Sequence, residues 1–429
     1  MSCPRKTLSN PPLLTRRGFG FLLGGACSAS VFPRWASAGN PPAELPFPKL
    51  RRGMNLHHLL NWPDTTERGG KTDYKWPPFE TENYKISDEE LSRLKTMGFD
   101  FLRVTADPSI FLASAADKPR RQLLTRLVLD TAHRLIAAGF KVIFDLHPVA
   151  VNPDYAPLKL VEKIDSPVFA AYAQLVERLA GALHELPHEQ FAFELMNEPW
   201  LDSHVEIARW QPMLERLHAR ARAGSATLPL VLTGAQWGSP KALMQLDLRP
   251  FKGSNVLYTI HYYDPHTYTH QGVQGDEGAF LAGLEWPAAP DNIATVRDAA
   301  FARIDATKKP PAEVAQLKAM TRKLLSDYEL TAHNQDRMRS NFETVARWAA
   351  NEGIPPSRIF LGEFGCVVSA HQQPLGEGRI RWLRAVRDAA QKCEFAWAYW
   401  GYKGYGGMWL YDDKGKLDLG VVKALDLSG

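Results

Sequence analysis

The sequence predicts a single (β/α)8 barrel. Three observations lead to this fold class. Short apolar segments of strand length alternate with amphipathic segments of helix length, eight strand segments can be counted, and polar or acidic residues follow several of them. A doubly wound open sheet is the alternative. The recurrence of candidate functional residues after strand upon strand favours the barrel, because barrel enzymes build their sites at the carboxyl ends of the strands.

The first 38 residues are predicted to be a twin-arginine signal peptide and not part of the fold. Arg16 and Arg17 precede an apolar run from Phe19 to Cys27, and Ala36-Ser37-Ala38 provides a small-residue cleavage site. The apolar run is shorter than the roughly 20 residues that span a bilayer, which makes a membrane anchor the weaker alternative. We therefore expect residues 39–429 to form one exported domain, periplasmic or secreted, without membrane contact after cleavage.

The strand and helix segments follow one another in regular order. The strand candidates are Gly53–Leu56, Phe101–Thr105, Val142–Leu146, Phe191–Met196, Leu230–Thr233, Val256–Ile260, Ile359–Gly362 and Phe395–Tyr399. The main helix candidates are Ser87–Gly98, Arg121–Ala138, Pro167–Leu186, Val205–Ala223, Gln335–Asn351 and Gly378–Lys392. The first helix has the clearest start, because Ser87 and Glu90 match the Ser-x-x-Glu pattern of a capping box.

Two connections are longer than a barrel requires. Residues 57–85 form a long loop after the first strand, and residues 264–333 form an insertion after the sixth. The insertion contains helical patterns near Ile293–Ala306 and Ala312–Asp327. Long loops on this side of a barrel often carry function. We expect the insertion either to wall one end of the site or to serve as a structural flap.

Composition and cysteine content exclude several classes of protein. The formal net charge of +4 is too small and too dispersed for a nucleic-acid partner. Neither a His-Glu-x-x-His nor a Cys-x-x-Cys pattern is present, so we expect no metal or other cofactor. Beyond the signal, Cys366 and Cys393 lie at opposite ends of neighbouring strands. Such ends are roughly 15–20 Å apart, whereas bridged Cα atoms lie within about 7 Å, and we predict two free thiols.

Two of the predicted strands lead into a glutamate. The segment Phe193-Glu194-Leu195-Met196-Asn197-Glu198-Pro199 ends its strand before Pro199 and leaves Glu198 at the barrel mouth. The segment Phe360-Leu361-Gly362-Glu363-Phe364-Gly365 places Glu363 at the same end of the seventh strand. Either glutamate alone could be structural. Retaining glycosidases, however, place two carboxyl groups about 5–5.5 Å apart as acid/base and nucleophile, and the pair predicts that chemistry.

These motifs resemble glycoside hydrolase family 5, the family of cellulases, mannanases and related β-glycanases, over roughly residues 50–425. The resemblance implies that Glu198 is the acid/base and Glu363 the nucleophile. It implies six further site residues, which are Arg103, His147, Asn197, His261, Tyr263 and Trp400.

The resemblance also implies a role for each of the six. Tyr263 donates a hydrogen bond to the nucleophile, Arg103 lowers the nucleophile's pKa, and Asn197 binds the sugar 2-hydroxyl. His261 tunes the protonation of the acid/base, His147 lines the glycone side, and Trp400 stacks under the sugar. Two structural alternatives stay open at this point. Arg103 would pair only with Glu194 inside the barrel, and His147 would be an ordinary core histidine.

Loop residues add two predicted sugar contacts, Trp237 after the fifth strand and His58 after the first. The implied reaction is double displacement on a β-linked glucan by a monomeric enzyme, with endo-β-1,4-glucanase as the first expectation. The alternatives within the family are an exo-acting enzyme, a β-1,3-glucanase, a mannanase or a transglycosylase. A non-catalytic sugar-binding barrel is the alternative outside it.

Overall fold

Eight parallel strands form a closed barrel in the computed structural model, which describes residues 45–403, 407–412 and 414–428. The strands are β1 (Arg52–Leu60), β2 (Phe101–Ala106), β3 (Lys141–Leu146), β4 (Phe191–Glu194), β5 (Leu230–Thr233), β6 (Val256–His261), β7 (Ile359–Phe364) and β8 (Ala396–Tyr399). Each strand pairs in parallel with the next, and β8 pairs with β1. The predicted (β/α)8 barrel is confirmed and the open sheet is excluded. The predicted signal peptide, residues 1–38, lies outside the described residues.

Helices connect the strands. The α-helices are Asp88–Thr96, Pro108–Ala113, Lys118–Ala137, Pro157–Leu160, Pro167–Leu183, His204–Gly224, Ala235–Gly238, Pro240–Leu243, His266–Thr269, Pro290–Ala306, Pro311–Thr331, Gln335–Glu352, Glu377–Lys392 and Leu419–Leu425. Short 3-10 helices lie at Glu82–Tyr84, Pro153–Tyr155, Arg249–Phe251 and Pro356–Arg358. Each predicted helix overlaps an observed one. The capping box is confirmed, because Ser87 Oγ accepts from the Glu90 backbone N–H at 3.1 Å and the Glu90 carboxylate accepts from that of Ser87 at 2.7 Å.

β1 is longer than predicted. It continues to Leu60, so His57 and His58 belong to the strand and not to the loop that follows it. Two histidines interrupt the apolar pattern, and the register with β2 shifts between Leu56 and Leu60, which local periodicity does not reveal. The loop itself contains an antiparallel hairpin, Thr65–Arg68 with Lys71–Tyr74, that the sequence did not predict.

The interior of the barrel changes from apolar to polar along the strands. Near the amino ends, one buried cluster contains Phe101, Ile143, Ala192, Val231, Leu257, Phe360 and Ala398. Two residues further along β2 the inward position is Arg103, and two further along β3 it is Asp145, because side chains alternate faces with a period of two. Gly53 is required in this packing, since a Cβ there would lie 2.2 Å from the Phe101 ring.

The segment before β1 closes the apolar end of the barrel. Phe47 is 6% exposed and packs into the cluster at the amino ends of the strands. The guanidinium of Arg358 lies 3.6 Å from the centre of the Phe47 ring, and the Asn255 amide donates to the Pro46 carbonyl at 2.8 Å. The barrel therefore has one sealed end and one end open for a site.

The insertion after β6 is anchored to the barrel at Tyr262. Its two predicted helices are confirmed as Pro290–Ala306 and Pro311–Thr331. The Trp286 indole N–H donates to His333 Nδ1 at 3.3 Å, and His333 Nε2 lies 3.0 Å from the Tyr262 hydroxyl. Burial lowers the pKa of His333 to about 4, so the imidazole is neutral and carries its proton on Nε2. The insertion thus packs behind the end of β6; whether it walls the site stays a prediction.

The structure also bears on the predicted free thiols and on the presence of membrane-spanning helices. Cys366 and Cys393 are both free, as predicted. No helix among the described residues has the length and apolar character needed to cross a membrane.

Replacing Phe47 with alanine is expected to destabilise the fold by about 3–5 kcal/mol, because it removes a buried aromatic ring from a closed apolar cluster. Urea denaturation measures this loss. Leu45→Ala is the matched control two residues away, where the side chain is 38% exposed, and its effect is expected to stay within about 0.5 kcal/mol. Equal losses in the two variants would show that the segment does not seal the barrel.

Candidate active site

Arg103 lies fully buried in the barrel, and all five of its N–H donors are used. Nε and Nη2 donate to the two Glu194 oxygens at 2.8 Å each. Nη2 also donates to Asn197 Oδ1 at 2.7 Å, while Nη1 donates to Asn55 Oδ1 at 3.0 Å and to Glu363 Oε1 at 2.7 Å. One guanidinium thereby fixes side chains from three other strand segments. The alternative in which Arg103 pairs only with Glu194 is wrong, because the same group holds Glu363.

Glu363 ends β7 with its carboxylate turned into this network. It is 5% exposed, and its second oxygen, Oε2, accepts from the Tyr263 hydroxyl at 3.1 Å. The two glycines beside it allow close approach of other groups. A Cβ on Gly362 would lie 2.3 Å from Thr259 Oγ1, and one on Gly365 would lie 2.6 Å from the Trp400 carbonyl oxygen.

The pKa of Glu363 differs from the expectation that Arg103 lowers it. Burial raises its pKa to about 7, and the attraction of His261 and Arg103 only partly opposes that rise. The predicted direction of the Arg103 effect is right, but desolvation is the larger cause. Even so, the carboxylate accepts two hydrogen bonds, from Arg103 and Tyr263, and both favour its ionised form.

Glu198 lies four residues beyond the end of β4, which stops at Glu194 and not at Met196 as predicted. The chain leaves the sheet early but stays attached, since the Asn197 backbone N–H donates to the Leu146 carbonyl at 2.9 Å. The Glu198 side chain is 21% exposed and has no hydrogen bond to Arg103 within the described part of the chain. Burial raises its pKa to about 8, the repulsion of Glu194 adds to the rise, and Arg103 opposes it.

His261 joins the two glutamates. Its Nδ1 lies 2.6 Å from Glu198 Oε1 and 3.7 Å from Glu363 Oε2. Burial lowers the pKa of His261, so the short contact with Glu198 is a hydrogen bond of a neutral imidazole. One Glu198 oxygen, one His261 nitrogen and one Glu363 oxygen all lie within 4.8 Å of one another. The same three atoms could ligate a metal ion, and the metal-free site stays a prediction.

Aromatic rings close the site beside these carboxyl groups. The Trp400 ring is stacked on that of His147 at 5.5 Å with an interplanar angle of 11°. The His57 ring lies 4.7 Å from Trp400 and 4.8 Å from His147. The Trp62 indole N–H donates to His57 Nε2 at 2.7 Å, which orients that ring. His147 therefore packs with the other predicted site residues, and its place on the glycone side stays a prediction.

His58 does not lie with the predicted site residues. Its Nε2 contacts the Lys85 carbonyl at 3.2 Å, and its ring lies 5.7 Å from that of Tyr402. Because successive strand side chains face opposite sides, the continuation of β1 turns His57 towards His147 and Trp400, and turns His58 away. This placement does not support the predicted sugar contact at His58; His57 is the histidine of β1 that lies with His147 and Trp400.

Trp237 lies in the loop after β5 and is 43% exposed. This loop is joined to the segment after Glu198, because the Trp237 backbone N–H donates to the Pro199 carbonyl at 3.5 Å. Trp237 has a φ of 54°, a left-handed conformation that is rare for a bulky side chain. The sugar contact at Trp237 stays a prediction.

Three residues of the network had no role in the sequence prediction: Asn55, His57 and Asp145. Asn55 accepts from Arg103 and donates through Nδ2 to the Gly362 carbonyl at 2.9 Å. Asp145 lies two positions before His147 and therefore on the same face of β3. A charged residue inside an otherwise apolar strand is the signal that could have identified Asp145, since an unpaired charge is costly to bury.

The fold and the paired carboxyl groups place this chain among the glycoside hydrolases with a barrel fold. A family model described as cellulase (glycosyl hydrolase family 5) matches residues 66–406, and the chain belongs to that family.

Individual relatives are distant in sequence. Endoglucanase 3 of Fibrobacter succinogenes is 25% identical over 404 residues, which is 90% of this chain and 54% of the relative. Endoglucanase C of Acetivibrio thermocellus is 22% identical over 217 residues, or 50% of this chain and 54% of the relative. The chain thus spans about half the length of these curated relatives.

Solved structures show the same fold. Thermotoga maritima Cel5A in complex with cellobiose is 22% identical, has a TM-score of 0.61, and covers 88% of this chain and 97% of its own. The complex of that enzyme with mannotriose is 21% identical with a TM-score of 0.62, again covering 88% and 97%. A family 5 xyloglucanase from Paenibacillus pabuli is 15% identical with a TM-score of 0.61, covering 88% and 98%.

The pH dependence of kcat/KM is expected to be a narrow bell centred near neutral pH. With the roles that the family resemblance implies for the two glutamates, the productive form has Glu363 ionised and Glu198 protonated. Activity is therefore lost as the pH falls through the Glu363 pKa, raised to about 7, and as it rises through the Glu198 pKa, raised to about 8. The measurement is hydrolysis of an aryl β-cellobioside. A dinitrophenyl leaving group needs no protonation, so Glu198→Gln can be assayed on such a substrate. Its pH profile should keep the acidic limb and lose the alkaline limb. If the alkaline limb persists, it belongs to a group other than Glu198.

Tyr263→Phe is expected to lower kcat/KM roughly ten- to a hundredfold, because a hydrogen bond to a charged group contributes about 1.5–3 kcal/mol. The acidic limb should also move to higher pH, since the ionised form of Glu363 loses a donor. Tyr262→Phe is the matched control: it removes the neighbouring hydroxyl, which faces His333 and Asn341 instead. Kinetic assays and pH profiles of both variants test this. An equal shift of the acidic limb in the two would contradict the role of Tyr263.

Proposed function

We propose that this protein is a retaining endo-β-1,4-glucanase in which Glu198 is the acid/base and Glu363 the nucleophile. The observation that carries the proposal is the contrast between two carboxyl groups whose nearest oxygens lie within 4.8 Å. Glu363 accepts hydrogen bonds from Arg103 and Tyr263, whereas Glu198 is more exposed and is bonded to a neutral histidine. A spacing of this size suits a retaining site, in which the carboxyl groups lie about 5–5.5 Å apart, better than an inverting site, in which they lie roughly 6.5–9.5 Å apart.

In the first half of the proposed reaction, a Glu363 oxygen attacks the anomeric carbon while Glu198 gives its proton to the glycosidic oxygen. The bond to the leaving sugar breaks and a glycosyl ester forms on Glu363. In the second half, Glu198 takes a proton from water, and the water oxygen displaces Glu363 from the anomeric carbon. The product keeps the β configuration, and both glutamates return to their starting protonation.

The Glu198 environment supports the acid role. A general acid must hold its proton near neutral pH, and burial raises the pKa of this carboxyl to about 8. Its partner His261 has Nδ1 at 2.6 Å and stays neutral, so the hydrogen bond orients Glu198 without supplying a positive charge that would ionise it. Glu363, the lower of the two in pKa, ionises first.

The substrate is proposed from the relatives and the surface of the site. The two relatives described above are endoglucanases, and the Thermotoga maritima Cel5A structure is a complex with cellobiose. Trp200 follows Glu198 by two residues, and the backbone of Trp237 contacts that loop at Pro199, so both exposed indoles belong to loops that adjoin Glu198. We infer that they offer flat apolar faces to further sugar units. Such a surface suits an internal bond of a chain, which is endo cleavage.

Export and assembly belong to the proposal as well. The twin-arginine pattern around Arg16 and Arg17 supports export to the periplasm or beyond, where a polysaccharide substrate is encountered. We propose that the exported domain acts as a monomer.

Carboxymethylcellulose, barley β-glucan, laminarin and mannan form the substrate panel. We expect oligosaccharides from the β-1,4-glucans at early times, and NMR of a fresh digest should show the β-anomer first. Glu363→Ala and Glu198→Ala should lose turnover, with azide restoring the rate of the Glu198 variant on an activated aryl glycoside. Release of single sugars alone would replace the endo assignment with exo action. An initial α-anomer would refute the retaining mechanism, and unchanged activity in Glu363→Ala would remove the proposed nucleophile.

A further inference from the structure

Asp145 is a fully buried carboxyl group that the proposed reaction does not use. Its Oδ2 lies 2.8 Å from His147 Nδ1 and 2.9 Å from Arg103 Nη2. Its Oδ1 has no hydrogen-bond partner among the described residues. The Arg103 contact is electrostatic only, since both N–H groups of Nη2 are directed at Glu194 and Asn197. The hydrogen bond of Asp145 is therefore with His147.

The proton positions in this network follow from Arg103, which can only donate. Asn197 must turn its Oδ1 towards the guanidinium, at 2.7 Å, and so its Nδ2 towards His147 Nε2, at 3.3 Å. His147 Nε2 must then accept. Burial lowers the pKa of His147, so the ring is neutral and its single proton lies on Nδ1, where it is donated to Asp145. Asp145 is the acceptor at the end of the chain.

We propose that Asp145 is a positioning residue that fixes the tautomer of His147 and thereby orients the Asn197 amide towards the sugar 2-hydroxyl. Asn197 Nδ2 carries two hydrogens, and His147 Nε2 takes one of them. The other has no acceptor within the described residues and is left for the sugar. Without the acceptor at Asp145, His147 can move its proton to Nε2, where it opposes the Asn197 N–H. This inference rests on the proposed function, because it assigns the 2-hydroxyl contact within that reaction.

The arrangement is difficult to explain by stability alone. A buried carboxylate with one unbonded oxygen is costly, so an apolar side chain would fill this position with less desolvation. Arg103 does not need Asp145 to satisfy its donors. A contact to the 2-hydroxyl, by contrast, strengthens in the transition state, so a residue that aligns it acts on the rate.

The test compares two substrates on each enzyme preparation: nitrophenyl β-cellobioside, and its analogue lacking the 2-hydroxyl on the sugar that bears the nitrophenyl group. The measured quantity is the ratio of the two kcat/KM values, which cancels any inactive fraction. We expect Asp145→Leu, which removes the acceptor at similar size, to lower this ratio about tenfold. Asp145→Asn keeps an acceptor oxygen towards His147, and its ratio should stay within about threefold of the unmodified protein. Asp145→Ala gives the same comparison if the leucine variant does not fold.

Asp107→Leu is the matched control. Asp107 is equally buried on the neighbouring strand segment, but its carboxyl bonds Ser109 and none of the site residues. Its ratio should equal that of the unmodified protein. An unchanged ratio in Asp145→Leu, with equal losses on both substrates, would overturn the positioning role and leave the proposed function standing. A similar fall of the ratio in Asp145→Asn would assign the effect to the negative charge of Asp145, and this result would also overturn the positioning role. No turnover of either substrate by the unmodified protein would overturn the proposed function, and this inference with it.

Discussion

The guanidinium of Arg103 is the interaction on which the polar half of the barrel depends. Four carboxyl groups, of Asp145, Glu194, Glu198 and Glu363, surround this one permanent cation, and the nearby histidines are neutral by burial. One positive charge cannot balance four negative charges in a dry interior, so the four carboxyl groups do not all ionise together. The contacts that each group makes decide whether it ionises. Glu194 and Glu363 receive hydrogen bonds from Arg103, and Asp145 forms an ion pair with it. The Glu198 carboxyl is instead hydrogen-bonded to the neutral His261 and is left as the group that keeps a proton.

The barrel can bury this polar cluster because its interior is divided along the axis into an apolar part and a polar part. Phe47 and the apolar cluster near Phe101 fill the amino ends of the strands without a polar atom to satisfy. The next inward positions carry Arg103, which donates to Glu194, and Asp145, which pairs electrostatically with Arg103. The strand period of two brings these residues of the neighbouring strands β2, β3 and β4 into one layer, and the closed strand order brings Glu363 of β7 to the same interior.

The sequence predicts the strands, the main helices and the two glutamates because each depends on a local pattern that survives in the fold. The prediction fails where the position of a side chain depends on the exact end of a strand or on a partner far away in the chain. β1 continues past Leu56, so His57 and His58 lie on opposite faces of a strand and not together in a loop. The helices of the insertion are periodic and were predicted. Their anchor, formed by Tyr262, Trp286 and His333, joins positions far apart in the chain and has no local pattern.

Two hydrogen-bond chains leave Arg103, and they serve different parts of the proposed reaction. One passes to Glu363 and Tyr263, at the bond that breaks; the other passes through Asn197 and His147 to Asp145, at the sugar ring. Because the same guanidinium bonds Glu363 Oε1 and Asn197 Oδ1, the distance between nucleophile and sugar-binding amide is fixed by a rigid planar group. A sugar held at its 2-hydroxyl by Asn197 is therefore held at a defined position relative to Glu363. Arg103 thus contributes to alignment of the substrate as well as to the ionisation of the nucleophile.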